Sequence, residues 1–590
     1  MLLVKDKKIG HFSNYVTEGY GLHIDSFTYG KAGYVKEWKL SNTMREWTGN
    51  TIPELLDTLK SLKSQYDLKT TIKKGKKRDT EYRDLLVIFT DDLNLVKCFL
   101  YNYGLTDEFK FYFQILDNIE IRECWYDNVN TAKGLADYAQ FMIDELFVPA
   151  KFFFITPNQV FRKTIQRVRK SVKCTIAEQI YPKSYFEYQT LKKGYFGGIL
   201  YSWYDKIIYD PMLGLDIKSA YIYCMLVCKH CMSERVEVDT KYWEYYLSSK
   251  NKASFGKYKI RYTAFREETK ALISCYKNAD ITSCQVGVDV EDTFILTNID
   301  LKIFLDNVDV HYVECIYLYE YDLDYLPAYV RDELVLDFCL KEEYSKKYGK
   351  KHPKTKIQKI KLNGGYGETV RKWDRNEYDE DKKDPNMAPQ WGVWTTSYCK
   401  RLLIELATQL DGWYYSATDS IYCLDTPENR DALFNYNSRI RNNVKVFCDK
   451  FGYDYNALQD LGSFVIEKEI EQFRAFGPNQ YMYTTIAKDE DGNIILDKDG
   501  NIVKETMIKA SGCNKEYLHN LTEEQKRKLY FANHIPVGRV FRYSFNPEVT
   551  RCEINGTIYE SNGSYCIKQY DGIVAEFVVL GESAIRKIDN

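Results

Sequence analysis

The sequence predicts a multidomain protein of mixed α/β and α+β fold class, on three observations. Its 590 residues exceed what one hydrophobic core usually supports, so several domains are expected. Apolar runs at 85–89 and 151–155 indicate buried strands, and the pattern over 131–147 is helical, which together favour an N-terminal α/β region. After about residue 484, short alternating strands separated by Asp-Gly and Asn-Gly turns indicate antiparallel hairpins.

Changes in pattern divide the chain into seven predicted segments. The α/β region is followed by a strand-rich block with several glycines, a mixed region, a Lys-rich helical span, a short charged stretch, a second strand-rich block and the hairpins. No internal repeat and no Ser/Gly-rich linker marks the divisions. The predicted boundaries are 1–165, 166–234, 235–328, 329–367, 368–388, 389–483 and 484–590.

Composition excludes several classes of protein. With 45% hydrophobic and 28% charged residues the chain is ordinary for a soluble globular protein, and no apolar run approaches the roughly 20 residues of a membrane span. Charged residues begin at Lys5, and no apolar signal core precedes or follows them at the N-terminus. The sequence therefore predicts a cytoplasmic protein with no membrane partner.

The cysteines are expected to be reduced thiols. Sixteen are scattered through the chain without paired spacing, which is not typical of a disulfide framework. The exception is the group Cys224, Cys228, His230 and Cys231, whose side chains are all of the type that binds zinc. No second cluster follows at zinc spacing, so a zinc site stays open as the alternative to plain thiols.

Net charge does not exclude nucleic acid as a partner. The formal net charge is −2, but the field that a ligand meets is local, and basic stretches lie at 73–78, 162–173 and 346–356. A solvated charged face is the plainer interpretation of the first stretch. The other two are candidates for contact with phosphates.

Two aspartates are placed so that they can meet. Asp216 follows the apolar runs 207–209 and 212–215, and Asp419 lies at a predicted hairpin tip between two further apolar runs. Paired carboxylates of this kind can hold the metal ions of nucleotidyl transfer. Either aspartate alone would be read as a cap or a solvated loop residue.

A third segment supplies a basic and aromatic helix face. Lys359, Asn363 and Tyr366 recur at spacings of four and three, which places them on one face of a helix, and Gly367 follows. Such a lysine can meet a phosphate. An amphipathic helix with Tyr366 in the core and Gly367 as its C-cap is the alternative, but it leaves Lys359 unexplained.

Together, and in this chain order, the segments 215–221, 359–367 and 415–420 resemble the A, B and C motifs of family B DNA polymerases. The resemblance implies a right-hand architecture of palm, fingers and thumb behind an N-terminal exonuclease-like (RNase H-like) domain. It implies a DNA-directed DNA polymerase that uses two Mg²⁺ ions, for which Mn²⁺ can substitute. Its partners would be a DNA primer–template and dNTPs.

The resemblance also implies residue roles. Asp216 and Asp419 would be the catalytic metal ligands, joined by the carbonyl of Ile217, and Tyr221 would pack against the sugar and exclude a 2′-hydroxyl. The implied nucleotide-binding residues are Tyr221, Lys347, Lys359, Asn363, Tyr366 and Gly367. The implied DNA-binding residues are Tyr195, Gly197, Gly198, Thr418, Ser420, Asn479 and Tyr481.

Two features resemble the protein-primed branch of that family, the phage and adenovirus type. Tyr195-Phe-Gly197-Gly198 matches its Tyr-x-Gly-Gly motif, with a glycine pair in a bulge as the plain alternative. The segment 235–328 resembles the insertion that docks a terminal protein, so a terminal protein is a possible partner. The second insertion, 368–388, is short. In this view 166–234 holds the first part of the palm, 329–367 the fingers, 389–483 the second part of the palm and 484–590 the thumb.

Departures from the family pattern limit what the resemblance implies. Ala417 stands where motif C usually has a first aspartate, and Asn479 stands where a Lys-x-Tyr segment has its lysine, so weaker metal and primer binding are expected. Three acids of the exonuclease motifs are also replaced, which predicts a domain without proofreading. Their positions carry Phe27, Val96 or Asn94, and Met142. A displaced exonuclease site would have to be built from Asp25, Asp91, Asp92 and Asp144.

Two other functions stay open at this point. One is a self-priming or weakly templated nucleotidyltransferase of the same fold, which the altered motif C and Asn479 would permit. The other is a catalytically decayed DNA-binding scaffold, since the loss of the exonuclease acids shows that the chain tolerates decay. The expected main activity is replication of viral or mobile-element DNA from a primer 3′-hydroxyl or a terminal-protein hydroxyl.

Overall fold

The structure is a computed structural model that describes most of the chain. The described residues are 3–8, 11–16, 18–29, 32–74, 80–100, 107–109, 112–116, 118–124, 131–144, 157–202, 206–278, 284–350, 352–370, 385–488, 493–511, 518, 521–532, 535, 539–544, 549–554, 557–562, 565–570, 573–580 and 585–587.

Strands dominate both ends of the chain. In chain order they are β1 (Leu3–Lys8), β2 (His11–Val16), β3 (Tyr20–Tyr29), β4 (Ala32–Ser41), β5 (Glu46–Gly49), β6 (Thr70–Lys73), β7 (Thr80–Thr90), β8 (Asp107–Phe109), β9 (Tyr112–Leu116), β10 (Ile119–Glu123), β11 (Leu200–Ser202), β12 (Ile207–Ile208), β13 (Met212–Ile217), β14 (His230–Cys231), β15 (Val236–Glu237), β16 (Lys252–Thr263), β17 (Asp289–Thr297), β18 (Asp309–Asp324), β19 (Tyr415–Ala417), β20 (Ser420–Leu424), β21 (Phe464–Ile470), β22 (Gln472–Gly477), β23 (Gln480–Ile486), β24 (Lys504–Ala510), β25 (Arg539–Ser544), β26 (Val549–Ile554), β27 (Thr557–Asn562), β28 (Tyr565–Tyr570), β29 (Ile573–Leu580) and β30 (Ile585–Lys587).

Helices are concentrated between these ends. They are α1 (Ile52–Gln65), α2 (Leu93–Leu100), α3 (Ala132–Asp144), α4 (Pro157–Val172), α5 (Ile176–Gln179), α6 (Tyr185–Lys193), α7 (Ala220–Val227), α8 (Tyr245–Ser248), α9 (Thr269–Lys277), α10 (Asn298–Asn307), α11 (Ala328–Tyr348), α12 (Pro353–Thr369), α13 (Pro389–Ala407), α14 (Pro427–Phe451), α15 (Tyr455–Leu458) and α16 (Glu523–Leu529). None of the helices in the described part of the chain is both long enough and apolar enough to span a bilayer.

The first of two compact units combines the N-terminal residues with the end of the chain, and comprises Met1–Thr156, Gly512–Asn520 and Pro536–Asn590. Its main sheet is mixed and runs in the order β25-β28-β29-β4-β3-β7-β10-β9-β8, with α1 to α3 in the same unit. Helix α1 begins in a capping box between Thr51 and Glu54, which satisfies free backbone amides at its first turn. Its buried leucines join a core around Trp38.

The second unit, Pro157–Ser511 with Leu521–Ile535, holds the remaining sheets and helices. Its central five-stranded sheet has the order β11-β19-β20-β13-β21, so β13 lies between two antiparallel neighbours. A second sheet has the order β12-β22-β23-β24, and a third the order β14-β18-β16-β17 with β15 beside β18. Helix α13, buried along almost its whole length with Trp391 and Trp394 fully enclosed, packs against α7, α10 and α12. This helix forms the core behind the central sheet.

Several sequence predictions are confirmed by these elements. The run 85–89 lies within β7, and the helical pattern over 131–147 contains α3, whereas 151–155 lies outside the described residues. The Asp-Gly pair at 499–500 is a turn in which Gly500 has φ +81°, and strands β26 and β27 pair on either side of Asn555-Gly556. The fold therefore mixes α and β structure as expected.

The predicted C-terminal segment 484–590 is not a single body. Residues 484–511 and 521–535 belong to the second unit, whereas 536–590 belong to the first. The physical reason is strand pairing, because β29 runs parallel to β4 and joins the N-terminal sheet through Val579 and Ala32. The other predicted boundaries stay predictions.

Candidate active site

Asp216 and Asp419 meet at the end of the central strand. On β13, Asp216 pairs with Ser420 of β20 and with Val465 of β21. The backbone N–H of Ile217 donates to the carbonyl of Asp419 at 2.9 Å. The strand end and the hairpin tip are thus hydrogen-bonded, and the predicted convergence of the two aspartates is confirmed.

The hairpin tip is held in a strained turn. Thr418 has φ +62°, a left-handed conformation that a β-branched residue rarely adopts. Its N–H donates to the carbonyl of Ile199 at 3.0 Å, and the N–H of Asp419 donates to Ala417 at 2.8 Å. Strain of this kind is typical of functional sites and persists because surrounding contacts fix it. Here those contacts fix the backbone of Asp419.

Gly198 makes this turn possible. It precedes β11, which pairs with β19, and a Cβ added at Gly198 would lie 2.6 Å from the Cα of Thr418. A Cβ added at Gly197 would meet nothing within 4 Å. The two predicted glycines therefore differ, since Gly198 is required by packing against the hairpin tip and Gly197 is open.

Electrostatics of the site favour a bound cation. Burial, followed by the negative charges of Asp419 and Glu467, raises the pKa of Asp216 to about 7. Burial also raises the pKa of Asp419. Lys359 lowers the pKa of both carboxyls. Negative charge thus gathers in a partly buried place, which a divalent cation would stabilise.

Glu467 is a neighbour of this pair whose position depends on an irregularity in β21. The register of β13 against β21 shifts between Gly214 and Leu215, so that Ile466 faces Leu215, Lys468 faces Gly214 and Glu467 is left in a bulge. Its exposed side chain raises the pKa of Asp216 and of Asp419. Glu467 therefore adds negative charge beside the two aspartates.

The two aspartates suit a Mg²⁺ ion that protein and substrate hold together. Among the described residues no three His, Cys, Asp or Glu side chains form a complete metal site. Mg²⁺ is commonly held by one or two carboxylates together with substrate phosphates and water, which two aspartates match. The carbonyl of Ile217 as a further ligand stays a prediction.

Ala417 faces an aromatic cluster. Its methyl group packs against a buried group that includes Tyr415, Tyr422 and Phe473. Position 417 therefore makes an apolar contact.

A tyrosine stack joins the helix face to the central strand. The rings of Tyr221 on α7 and Tyr366 on α12 are parallel within 5°, with centroids 4.1 Å apart. The hydroxyls of Tyr195 and Tyr366 lie 2.6 Å apart. Two predicted nucleotide-binding residues, Tyr221 and Tyr366, are thus in contact with each other, and Tyr366 also contacts the predicted DNA-binding residue Tyr195.

The rest of the helix face is open. Lys359, Asn363 and Gly367 are exposed on α12, which continues to Thr369 and is capped by Val370. Gly367 is therefore inside the helix, and the alternative that made it a C-cap is wrong. A Cβ there would meet nothing within 4 Å.

Lys341 is a cation near the site that sequence reasoning missed. From α11 its Nζ donates to Ser219 Oγ at 3.0 Å and pairs with Glu342 at 2.8 Å. Burial, aided by Lys218 and Lys359, lowers the pKa of its amine. The predicted Lys347 lies nearer the C-terminal end of α11, with Nζ 5.2 Å from the ring centre of Tyr348. The sequence signal for Lys341 was no more than a lysine in a Lys-rich helix.

The predicted primer-side residues lie on β20 and at the β22–β23 turn. Asn479 has φ +57° and donates its backbone N–H to Tyr415 Oη at 3.0 Å, which suits an asparagine at a turn. Tyr481 accepts a hydrogen bond from Tyr422 Oη at 3.0 Å. Ser420 Oγ donates to the carbonyl of Ala417.

His230 and the neighbouring cysteines do not gather into a metal cluster within the described part of the chain. His230 is fully buried, and its Nε2 donates to the carbonyl of Cys224 at 3.0 Å. The carbonyl of Cys231 accepts from Trp391 Nε1. The buried imidazole of His230 and the Cys231 carbonyl thus make hydrogen bonds within the protein.

Comparison with known proteins identifies the fold. No protein-family model and no curated protein sequence matches the chain. Phi29 DNA polymerase with primer-template DNA matches with a TM-score of 0.59 and 13% identity, covering 86% of this chain and 94% of that chain. Its ternary complex with primer-template DNA and incoming nucleotides matches with a TM-score of 0.58 and 13% identity, covering 94% and 99%. The chain has the fold of Phi29 DNA polymerase.

The likeness to Phi29 DNA polymerase extends to the complex with single-stranded DNA, which has a TM-score of 0.57 at 12% identity and covers 93% of this chain and 99% of that chain. The expectation of a polymerase fold from three short motifs is thus confirmed. At this identity the likeness is one of fold, and the roles of the site residues stay predictions.

The match to Phi29 DNA polymerase spans most of the chain, including much of the first unit. The acids of that unit that were considered for a displaced exonuclease site already form ion pairs or hydrogen bonds. Asp25 pairs with Lys36 at 2.9 Å, and Asp91 pairs with His23 at 2.7 Å. Asp92 accepts from the N–H of Leu95 and Asp144 from the amide of Gln140. Val96 is buried on α2, whereas the side chains of Phe27, Asn94 and Met142 lie outside the described residues.

Proposed function

We propose that the protein is a DNA-directed DNA polymerase of the protein-primed type that lacks proofreading. The observation that carries the proposal is the meeting of Asp216 and Asp419 beside the Tyr221–Tyr366 stack. Phi29 DNA polymerase, whose fold the chain shares, is named as binding primer-template DNA and incoming nucleotides. The substrates proposed for this chain are therefore a primer–template and dNTPs.

The central sheet would be the palm, with α11 and α12 as the fingers. A 3′-hydroxyl oxygen placed near Asp216 would attack the α-phosphorus of a dNTP, forming one P–O bond and releasing pyrophosphate. Two Mg²⁺ ions, or Mn²⁺, at Asp216, Asp419 and the Ile217 carbonyl would supply Lewis acid chemistry for that transfer. The raised pKa of both carboxyls fits a site completed by cations.

The fingers would hold the triphosphate. Lys359 is exposed and close enough to lower the pKa of both aspartates, and Lys341 lies against Ser219 just after β13. Lysine ammonium groups donate charge-assisted hydrogen bonds to phosphate oxygens. The Tyr221 ring, stacked on Tyr366, would pack against the sugar and exclude a 2′-hydroxyl.

The first unit would be an exonuclease-like domain without activity, and 235–328 would be the docking region for a terminal protein. Its hydroxyl would replace the primer 3′-hydroxyl at the start of replication of viral or mobile-element DNA. The compartment would be the cytoplasm. The proposed loss of proofreading is supported by four acids that already form ion pairs or hydrogen bonds, namely Asp25, Asp91, Asp92 and Asp144.

The test is primer extension on a recessed DNA template with Mg²⁺ and, separately, with Mn²⁺. We expect templated extension by the unaltered protein, loss of at least about 100-fold in Asp419→Ala, and no loss in Asp449→Ala, an exposed aspartate on α14. A mismatched primer end should persist, because proofreading is absent. Removal of divalent cations with EDTA should abolish extension.

The same experiment separates the two other functions. Incorporation on a blunt, template-free substrate would favour the self-priming or weakly templated nucleotidyltransferase. No incorporation with either metal, despite DNA binding, would show a decayed scaffold and overturn the proposed activity.

A further inference from the structure

Lys468 is a cation enclosed by aromatic rings beside the candidate active site. On β21 its Nζ donates to Tyr422 Oη at 2.7 Å and lies 5.1 Å from the ring centre of Tyr422 and 5.3 Å from that of Tyr483. Tyr422 Oη in turn donates to Tyr481 Oη at 3.0 Å. The amine is thus fixed at one place on the sheet, which is unusual for a lysine side chain with four rotatable bonds.

Gly214 gives Lys468 its path across the sheet. A Cβ added at Gly214 would lie 3.2 Å from the Cβ of Lys468 and 3.3 Å from Tyr422 Cε1. Gly214 is two residues before Asp216, so both lie on the same face of β13. Lys468 therefore crosses that face next to the catalytic aspartate, close enough for each group to influence the pKa of the other.

No carboxylate within the described part of the chain lies at ion-pair distance from Lys468. A second lysine is near, because Lys509 on β24 pairs directly with Tyr481 and helps to lower the pKa of the Lys468 amine, after burial as the main cause. The charges of Glu467 and Asp216 act on this amine in the opposite direction, although neither carboxylate pairs with it directly. Two like charges held close together, one of them largely buried, cost free energy unless an anion contacts both. The arrangement is that of an anion site.

The position of this site favours a DNA backbone phosphate over the triphosphate. Lys341 contacts Ser219, which follows the C-terminal end of β13, and Lys359 lowers the pKa of both aspartates. Lys468 instead faces Gly214, before Asp216 on the same strand, and beside Tyr481. Along the chain, Lys468 therefore faces a residue before Asp216, whereas Lys341 contacts a residue after it.

We propose that Lys468, assisted by Lys509, binds a backbone phosphate of the primer strand near its 3′ end. The pair would supply the positive charge that Asn479 does not carry. The inference rests on the proposed polymerase function, since it is that function that places a primer end at Asp216.

The test measures the affinity for a recessed primer–template in Ca²⁺ without nucleotide, which needs no catalysis. We expect Lys468→Gln to weaken binding roughly tenfold and to reduce the slope of log affinity against log salt by about 1. Lys468→Arg should restore most of the affinity, and the exposed Lys509→Gln should show a smaller loss. Lys445→Gln, an exposed lysine on α14, is the matched control and should change neither quantity.

Neutral methylphosphonate linkages then locate the phosphate. We expect a neutral linkage at one of the last three primer positions to weaken binding by the unaltered protein. The same linkage should not weaken binding by Lys468→Gln any further, because a double-mutant cycle shows such coupling when two groups are in contact. Equal effects on both proteins at every linkage would overturn the proposal. The proposal would also be overturned if Lys468→Gln kept its affinity for primer–template and had a raised KM for dNTP. That result would assign Lys468 to the triphosphate. Failure of the proposed function is a different result: the unaltered protein would bind primer–template but would not incorporate nucleotides.

Discussion

Tyr221 and Tyr366 stack face to face, with ring centroids 4.1 Å apart, although they belong to different helices of the second unit. Tyr366 is further fixed by the hydroxyl of Tyr195 at 2.6 Å. Under the proposed function, the Tyr221 ring, backed by the fixed Tyr366, would not move aside to admit a larger sugar. The stack would then connect the packing of the helices with the choice of nucleotide.

Replacement of Tyr221 by valine should relax discrimination against ribonucleotides. The smaller side chain leaves room for a 2′-hydroxyl, and the preference for dNTP over NTP in kcat/KM should fall on the order of 10–100-fold. Tyr223→Phe, which retains the neighbouring buried ring and loses a contact with Asn443, should leave the preference unchanged. Single-nucleotide incorporation kinetics with dNTP and NTP give the ratio. An unchanged ratio in Tyr221→Val would show that the sugar is selected elsewhere.

Lys341 should contribute to nucleotide binding even though no motif contains it. Lys341→Met removes an amine that lies against Ser219, so the KM for dNTP should rise roughly tenfold while affinity for primer–template stays the same. Lys359→Met should raise the KM for dNTP in the same way. Lys346→Met removes an exposed charge from α11, the helix that carries Lys341, and should leave the KM unchanged. A loss of primer affinity in Lys341→Met with unchanged KM would contradict this assignment.

The sequence predicted the main features of this site because they depend on local pattern. Apolar runs around Asp216 and Asp419 indicate buried strands, and buried strands can be expected to pair in one sheet. The spacing of Lys359 and Tyr366 likewise defines a helix face without any knowledge of its neighbours. For the same reason β7 and α3 were predictable.

The remaining features depend on contacts between distant residues. Nothing near Lys468 in sequence shows that its amine reaches Tyr422 through a gap left by Gly214, and nothing near Ala32 shows that β29 will pair with its strand. Pairing partners and bulges are set by tertiary packing, which a single sequence does not display. Lys341 and the difference between the two glycines of the Tyr-x-Gly-Gly segment were missed for that reason.

Those two glycines should respond differently to alanine. Gly198→Ala places a methyl group 2.6 Å from the Cα of Thr418, so the hairpin tip must move, and the free energy of unfolding should fall by about 1–3 kcal/mol. Gly197→Ala meets no atom within 4 Å and should change it by less than about 1 kcal/mol. Urea unfolding of the two variants checks this. Equal effects would mean that the contact with Thr418 does not limit position 198.

His230 should make stability depend on pH. Burial lowers the pKa of this imidazole to about 4, below its ordinary value, because no water reaches the ring to stabilise its charged form. In the unfolded chain the ring takes up a proton near pH 6.5, so between that pH and about 4 the unfolded state binds more protons than the folded state. The contribution of neutral His230 is therefore fully present above pH 6.5 and is lost as the pH falls towards 4.

The measurement is urea unfolding at pH 7 and pH 5, followed by tryptophan fluorescence. From pH 7 to 5 the unaltered protein should lose about 2 kcal/mol more free energy of unfolding than His230→Gln does, since glutamine does not titrate. His311→Gln replaces a partly exposed histidine beside Thr263 and should keep the full pH dependence. If His230→Gln and the unaltered protein lost equal stability, the buried imidazole would have to take up its proton without unfolding.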